Sequence, residues 1–438
     1  MSSIEMPPHV GVFPFPFASH PISMLSLARR LAHAAPNVQF SFFNTSNSNN
    51  SLFGFASKSK AKLEHNIISY DVEDGVPLGH VLSGNPREPT ELFLKAAPES
   101  FKRAMDMATS ERGSNISCLI SDALLSAFLK DLVDDLRVPW IVVWPASPCA
   151  LSGFIYADLI RKEMAIDVLS GDLQELVFSQ ALRPIGDLLP RATAVVINCY
   201  REITPTLLTN DLESKFQKLL YVGFPTMSFP PPPLPPSDSD QTGCLSWLDG
   251  QKERSVVYIT FGTEDISLLE SEIVALVEVL EENNIPFLWS IKDNFKKLFP
   301  DGFVERTSSH GKVVPWAPQS LVLAHDSMGA FLTLCGYNSM NESIVNGVPM
   351  ICRPFWADNR INARMIKSVW GIGLKVEEDG FLTKSGLMKS LELILGEEQG
   401  KRMREKAHEL KQLVLEASGP NGSAMKDFET FVGLISGS

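Results

Sequence analysis

No apolar run in the 438-residue sequence approaches the roughly 18 residues that span a bilayer. Positive charge is also short. The 39 Lys and Arg are outnumbered by 51 Asp and Glu, giving a formal net charge of −12. Phosphate backbones and anionic lipid surfaces select basic patches, so neither nucleic acid nor a membrane is an expected partner. Cysteine is scarce, at positions 118, 149, 199, 244, 335 and 352, with no CxxC and no histidine at ligand spacing. Neither a disulfide framework nor a bound metal is expected from that pattern. The glycine-rich phosphate loops GxGxxG and GxxxxGK[ST] are missing as well. A bound nucleotide would have to be held in another way.

The opening "MSSIEMPPHV" carries an acid and two prolines in place of the basic and apolar regions of a signal peptide. We therefore expect a reducing, cytosolic setting, a monomer, and no use of the sequons at Asn44, Asn115, Asn341 and Asn421. Small neutral or locally neutralised molecules are the expected ligands.

What is present is ample core material. Hydrophobic residues make up 44% and charged residues 21%, with a mean hydropathy of +0.03. A chain of this length suggests two domains of about 200 residues each. Short β-rich runs alternate with helical periodicity in both halves, which predicts parallel sheets with crossover helices, an α/β fold. "HVGVFPFPF", "VQFSFFNT", "SCLISDA", "PWIVVW" and "AVVINCY" read as strands of the first half. "SVVYITFGT", "IPFLWSIKD", "GKVVPWAPQ", "GAFLTL", "VPMICRPF" and "GIGLKVE" read as strands of the second. Between them, "FPTMSFPPPPLPPSDSDQTG" reads as an extended Pro-rich linker. The expected domains are 1–223, linker 224–243 and 244–423, with a last helix at 424–438 packing back on the first domain.

Within the second half, "FLTLCGYNS" ends an apolar strand at Leu334 and passes through a tight polar turn from Cys335 to Ser339. Such a strand, turn and helix can offer free N–H groups to an anion. Asn338 and Ser339 could equally be plain caps of that helix.

The run "WAPQSLVLAHDSMGAFLTLCGYNSMNESIVNGVPMICRPFWADN", 316–359, resembles the donor-binding signature of plant family-one UDP-glycosyltransferases. "VGVFPFPFASHPISMLSLARRLA", "CLISDA", "TFGT" and "GPNGSAMKDF" extend the resemblance over most of the chain, in particular to flavonoid 3-O-glucosyltransferases. The resemblance implies a GT-B fold, two doubly wound Rossmann-like domains facing across a cleft, with a UDP-sugar as co-substrate and a phenolic small molecule as acceptor. It further implies that Trp316 stacks on uracil and that Gln319 and Glu342 hold the ribose. Asn338, Ser339 and Thr263 would adjoin the pyrophosphate, and Asp358 and Asn359 would read sugar hydroxyls. His20 would be the general base, with Asp122 orienting its ring. That pairing makes chemical sense, because a carboxylate on the far nitrogen stabilises the imidazolium formed as a phenol loses its proton. His325 is expected to be structural.

Four positions depart from the pattern. Leu334 stands where a histidine donates to the phosphates, a bond worth about 1.5–3 kcal/mol. Glu264 places a carboxylate beside the same group, Pro145 offers neither hydroxyl nor N–H, and Asn359 is one methylene shorter than the usual glutamine. Three readings follow: sugar transfer with altered donor use, acid/base chemistry of a phenol without a sugar, or a non-catalytic binder. The acceptor pocket is expected near 13–20, 80–95, 144–156 and 180–190, where Phe13, Phe15, Phe17 and Trp144 could serve recognition or packing.

Overall fold

The computed structural model describes residues 6–53, 62–64, 66–83, 85, 88–159, 184–224, 240–262, 268–355, 358–376, 381–396 and 398–437. Most of the expected linker, the expected 180–183 part of the acceptor region, Thr263 and Glu264 lie outside the described residues. The chain divides into two units, Met1–Thr226 with Ala417–Ser438, and Met227–Glu416.

The first unit is an eight-stranded sheet in the order β3-β4-β2-β1-β5-β6-β7-β8. Its strands are β1 His9–Phe13, β2 Gln39–Thr45, β3 Lys62–Glu64, β4 Ile67–Val72, β5 Cys118–Asp122, β6 Trp140–Trp144, β7 Ala194–Ile197 and β8 Leu219–Tyr221. Among the described residues, only the β3–β4 pairing of this sheet is antiparallel. The central strands β1, β5, β6 and β7 are buried along their whole length. That is the consequence of unbroken apolar runs covered on both faces. Helix α1, His20–Ala34, lays Met24, Leu25, Leu27, Ala28 and Leu31 against this sheet through their three- and four-residue spacing. Helix α2, Glu88–Arg112, buries Phe93, Ala97, Phe101 and Ala104.

The second unit is a six-stranded sheet, β11-β10-β9-β12-β13-β14. It comprises β9 Val256–Thr260, β10 Phe287–Ser290, β11 Gly311–Val314, β12 Met328–Thr333, β13 Met350–Cys352 and β14 Gly373–Lys375, all pairings parallel. The helices that bear on its site are α3 Glu270–Glu282, α4 Gln319–Leu323, α5 Tyr337–Asn346 and α6 Asn359–Arg364. The β12–β9 register shifts between Met328 and Ala330, at Gly329. A Cβ there would lie 2.5 Å from the Arg254 carbonyl oxygen, so only glycine fits.

The final helix, α7 Ser423–Ser436, belongs to the first unit. Phe428, Phe431 and Ile435 join the core built by Val10, Leu27 and Leu220. Asp427 accepts the Tyr221 N–H at 2.8 Å, and the Arg30 guanidinium lies 4.6 Å over the Phe428 ring. The strands β3, β4 and β8 were not legible in the sequence. β4 mixes exposed and buried positions irregularly, and β3 and β8 have three residues each, too short for a period to register.

In both sheets the strand order reverses at one place. In the first unit this lies between β1 and β5, in the second between β9 and β12. In open parallel sheets the loops leaving the carboxyl ends of such a strand pair diverge and leave a binding crevice. Among the described residues no helix is long and apolar enough to cross a membrane.

At the start of β1, His9 is fully buried. Its Nδ1–H donates to the Ser114 carbonyl at 2.9 Å and its Nε2 pairs with the Ser41 hydroxyl at 2.7 Å, tying three segments together. Burial lowers the His9 pKa, and the Arg112 charge adds to this against the opposing Ser114 bond. The ring is thus neutral when folded and protonates on unfolding below its ordinary pKa. Stability should be full above about pH 6.5 and fall below it, by at most about 1.4 kcal/mol per pH unit from this group. Denaturant unfolding at several pH values tests this: His9→Gln, which cannot titrate, should show a shallower acid slope than the unsubstituted protein.

Candidate active site

In the first unit, "FPFPFAS" leaves β1 and returns the chain at Ala18, which adopts a left-handed φ of 52°. That conformation costs an L-residue about 1–2 kcal/mol. The turn delivers His20 as the first residue of α1, one position earlier than the helix start read from Pro21, and not in the loop itself. The parallel pairing of β1 with β5 sets Phe13 opposite Ser121, so the next residue, Asp122, ends its strand beside the departing loop. The His20 Nδ1–H donates to Asp122 Oδ2 at 2.7 Å, with 21% and 1% of the two side chains exposed. Asp122 Oδ1 accepts the Leu124 N–H at 2.9 Å. Both carboxylate oxygens are therefore engaged, and the imidazole is fixed in the Nδ1–H tautomer with Nε2 as its basic nitrogen.

The aromatic residues of this region separate into two groups. Phe13 stacks on Phe43 at 4.8 Å in the core. Trp144 is buried and its Nε1–H donates to the Ser147 carbonyl at 3.0 Å, so both are packing residues. Phe15 meets His20 edge to face at 5.3 Å, and the half-buried Phe17 lies 5.7 Å from Phe93 of α2. These three rings form an apolar wall beside the His20 turn. Pro145 is half-buried immediately after β6.

In the second unit, Trp316 follows β11 and is 63% exposed, an unusual state for so large an apolar side chain and a ready face for a planar ring. Gln319 opens α4 and its Nε2 donates to Ser339 Oγ at 3.1 Å. The polar side chains of Ser320 and Gln319 lie close enough to the Glu342 carboxyl group to favour its charged form. Gln319, Ser339 and Glu342 therefore form one cluster. Burial raises the Glu342 pKa while those neighbours oppose the shift, and its Oε2 is buried with no partner. A shielded, unsatisfied acceptor of this kind suits a hydroxyl-rich ligand.

Helix α5 begins at Tyr337 with Gly336 as its N-cap. Asn338 and Ser339 therefore lie inside the first turn, and the plain cap reading of them is excluded. The polar turn from Cys335 is correspondingly shorter than its sequence implies. The first intrahelical acceptor, the Gly336 carbonyl, receives Met340 N–H at 3.0 Å; the N–H groups of residues 337–339 precede it at the positive end of the helix. Leu334 packs against the apolar core of the unit, which explains how a leucine is accommodated there. Asp358 adjoins α6 and Asn359 is its buried first residue. His325 bonds Ser327 at 2.9 Å and Asp249 at 3.2 Å, a structural arrangement.

The chain matches the model of the family described as UDP-glucoronosyl and UDP-glucosyl transferase over residues 234–412. It is 44% identical over 462 residues to an anthocyanidin 3-O-glucosyltransferase of Vitis vinifera, spanning 100% of this chain and 99% of that one. It is 42% identical over 460 residues to an anthocyanidin 3-O-galactosyltransferase of Rhododendron delavayi, spanning 98% and 97%. Among solved structures, a UDP-glucose: anthocyanidin 3-O-glucosyltransferase crystallised with UDP superposes with a TM-score of 0.90 at 42% identity, covering 99% of each chain.

One element of the second unit was unforeseen. Arg353 and Glu272, 1% and 2% exposed, form a buried pair, joined by Nε–Oε1 at 2.9 Å and Nη2–Oε2 at 2.5 Å. Glu272 also accepts the N–H groups of Leu269 at 2.9 Å and Leu382 at 2.8 Å. Burial alone would raise the Glu272 pKa, but Arg353 and these two N–H donors hold it below the ordinary value. Arg353 interrupts the apolar "VPMICRPF", and a charge in such a run needs a buried partner. That signal pointed to a partner without identifying Glu272. Removing one member leaves an uncompensated buried charge, so Arg353→Met should destabilise the second unit by about 3–5 kcal/mol. Arg353→Met with Glu272→Gln should recover a large part of that loss, as read by denaturant unfolding.

Proposed function

Since this chain belongs to the UDP-glycosyltransferase family, we propose that it transfers the hexose of a UDP-sugar to a hydroxyl of a flavonoid-type phenol, an anthocyanidin or flavonol. Transfer proceeds by direct displacement with inversion. The observation that carries this reading is the 2.7 Å bond from His20 to the buried Asp122, at the strand-order reversal of the first sheet.

In this reading His20 Nε2 takes the phenolic proton as the oxygen attacks the anomeric carbon, and Asp122 stabilises the imidazolium that forms. The C–O bond to the diphosphate breaks and UDP departs with the electron pair. Phe15 and Phe17, backed by the buried Phe93, supply the apolar wall for the planar acceptor. Trp316 stacks on the uracil, and Gln319 and the unpartnered Glu342 Oε2 take the ribose hydroxyls. Asn338 and Ser339 receive the pyrophosphate at the start of α5, where the helix dipole favours negative charge. Leu334 contributes no donor, so the N–H groups of that first turn carry more of the developing charge. Asp358 and Asn359 meet the hexose.

The reading includes a reducing, cytosolic setting. Neither the described site residues nor the similarity to known proteins favours acid/base chemistry without a sugar or a non-catalytic binder. Mass spectrometry of a flavonol incubated with UDP-hexoses should show one added hexose. His20→Ala should lower kcat by about 10²–10⁴-fold while UDP binding measured by calorimetry stays unchanged. Undiminished turnover in that variant would contradict the assignment of the base.

A further inference from the structure

Asn362 is fully buried on α6, and its Nδ2 makes two hydrogen bonds. One goes to the Cys335 carbonyl at 3.0 Å, the other to Asp358 Oδ2 at 3.0 Å. Both partners only accept, so the amide can face them in one orientation alone. Its Oδ1 is buried without a partner, a cost that the fold tolerates to keep the nitrogen where it is.

The two acceptors have different contexts. Cys335 follows β12 with a left-handed φ of 64°, and its N–H donates to Thr333 Oγ1 at 3.2 Å. Its carbonyl belongs to the peptide that leads into Gly336, the N-cap of α5. Holding that carbonyl therefore fixes a strained peptide plane at the helix start. Asp358 lies at the start of α6, beside Asn359. A single carboxamide thus ties the turn that opens α5 to the turn that opens α6.

We propose that Asn362 is a positioning residue that sets the hexose-facing carboxylate of Asp358 in register with the diphosphate-facing start of α5. This rests on the proposed function, in which those two turns meet the sugar and the diphosphate of one donor. A donor spanning both turns binds well only when their spacing is right, and a loosened Asp358 loses its grip on individual sugar hydroxyls. Relatives of similar identity bear names for glucosyl and galactosyl transfer, so discrimination between these epimers is a sensitive reading of that grip.

The test compares the full-length enzyme with Asn362→Leu, which keeps the branched shape and removes both bonds, and Asn362→Ser, which keeps one donor. Each is also placed in an Asp358→Asn background. With UDP-glucose and UDP-galactose as donors, Asn362→Leu should raise donor KM about tenfold and leave the acceptor KM within about twofold. It should also pull the kcat/KM ratio of the two donors toward unity. In the Asp358→Asn background the same substitution should add less than about a twofold change. If Asn362→Leu does not fold, the same criteria apply to Asn362→Ser with a smaller effect. A lowered melting temperature with unchanged donor KM and donor ratio would overturn the proposal, as would an undiminished effect in the Asp358→Asn background. Absence of turnover with any UDP-hexose in the unsubstituted enzyme would instead contradict the proposed function itself.

Discussion

A carboxylate with 1% of its side chain exposed is costly to bury unless each oxygen is satisfied. Asp122 meets that condition with one histidine and one backbone N–H, and much of the first unit follows from this requirement. The parallel pairing of β1 with β5 sets where the carboxylate ends its strand. The left-handed Ala18 turns the chain so that α1 begins with the imidazole in reach. The reversal of strand order lies at the same place, where loops leaving an open parallel sheet diverge. Replacing Asp122 would remove the tautomer control on which a basic Nε2 depends, without altering any residue that touches the acceptor.

The second unit solves a different electrostatic problem by the same topology. Its order reversal lies between β9 and β12, and the chain leaving β12 enters α5 with no side chain at the cap. Backbone N–H groups are thereby presented at a helix start, which suits an anion without any basic residue. Leu334, just before this turn, packs against the apolar core, so it needs no polar partner there. The Gln319, Ser339 and Glu342 cluster stands on adjoining helices, with one acceptor still unpartnered.

Much of this was legible in the sequence because the signals were local. Unbroken apolar runs marked the central strands, Pro21 placed the start of α1 to within one residue, and the motif from Trp316 to Asn359 marked the candidate site of the second unit. What escaped depended on distant partners. Glu272 looks like any acid in the first turn of a helix, and only the fold brings Arg353 to it, 81 residues away. Asn362 is an unremarked asparagine until Cys335, 27 residues earlier, is brought to its amide. Phe13, Phe15 and Phe17 alternate identically in sequence, yet one is core and the others stand by His20. The two cis-acting misreadings were of boundaries: His20 and Tyr337 each begin a helix where a loop was expected, since first turns lack the periodicity that marks helix interiors.

In the proposed chemistry His20 is the base, and both oxygens of Asp122 are engaged in holding it. A single displacement of that kind inverts the anomeric centre. The most direct test is the anomeric configuration of the glycoside formed from an α-linked UDP-hexose and a flavonol, read by proton coupling in the purified product. The β-glycoside is predicted. An α-linked product would contradict direct displacement assisted by His20 and Asp122.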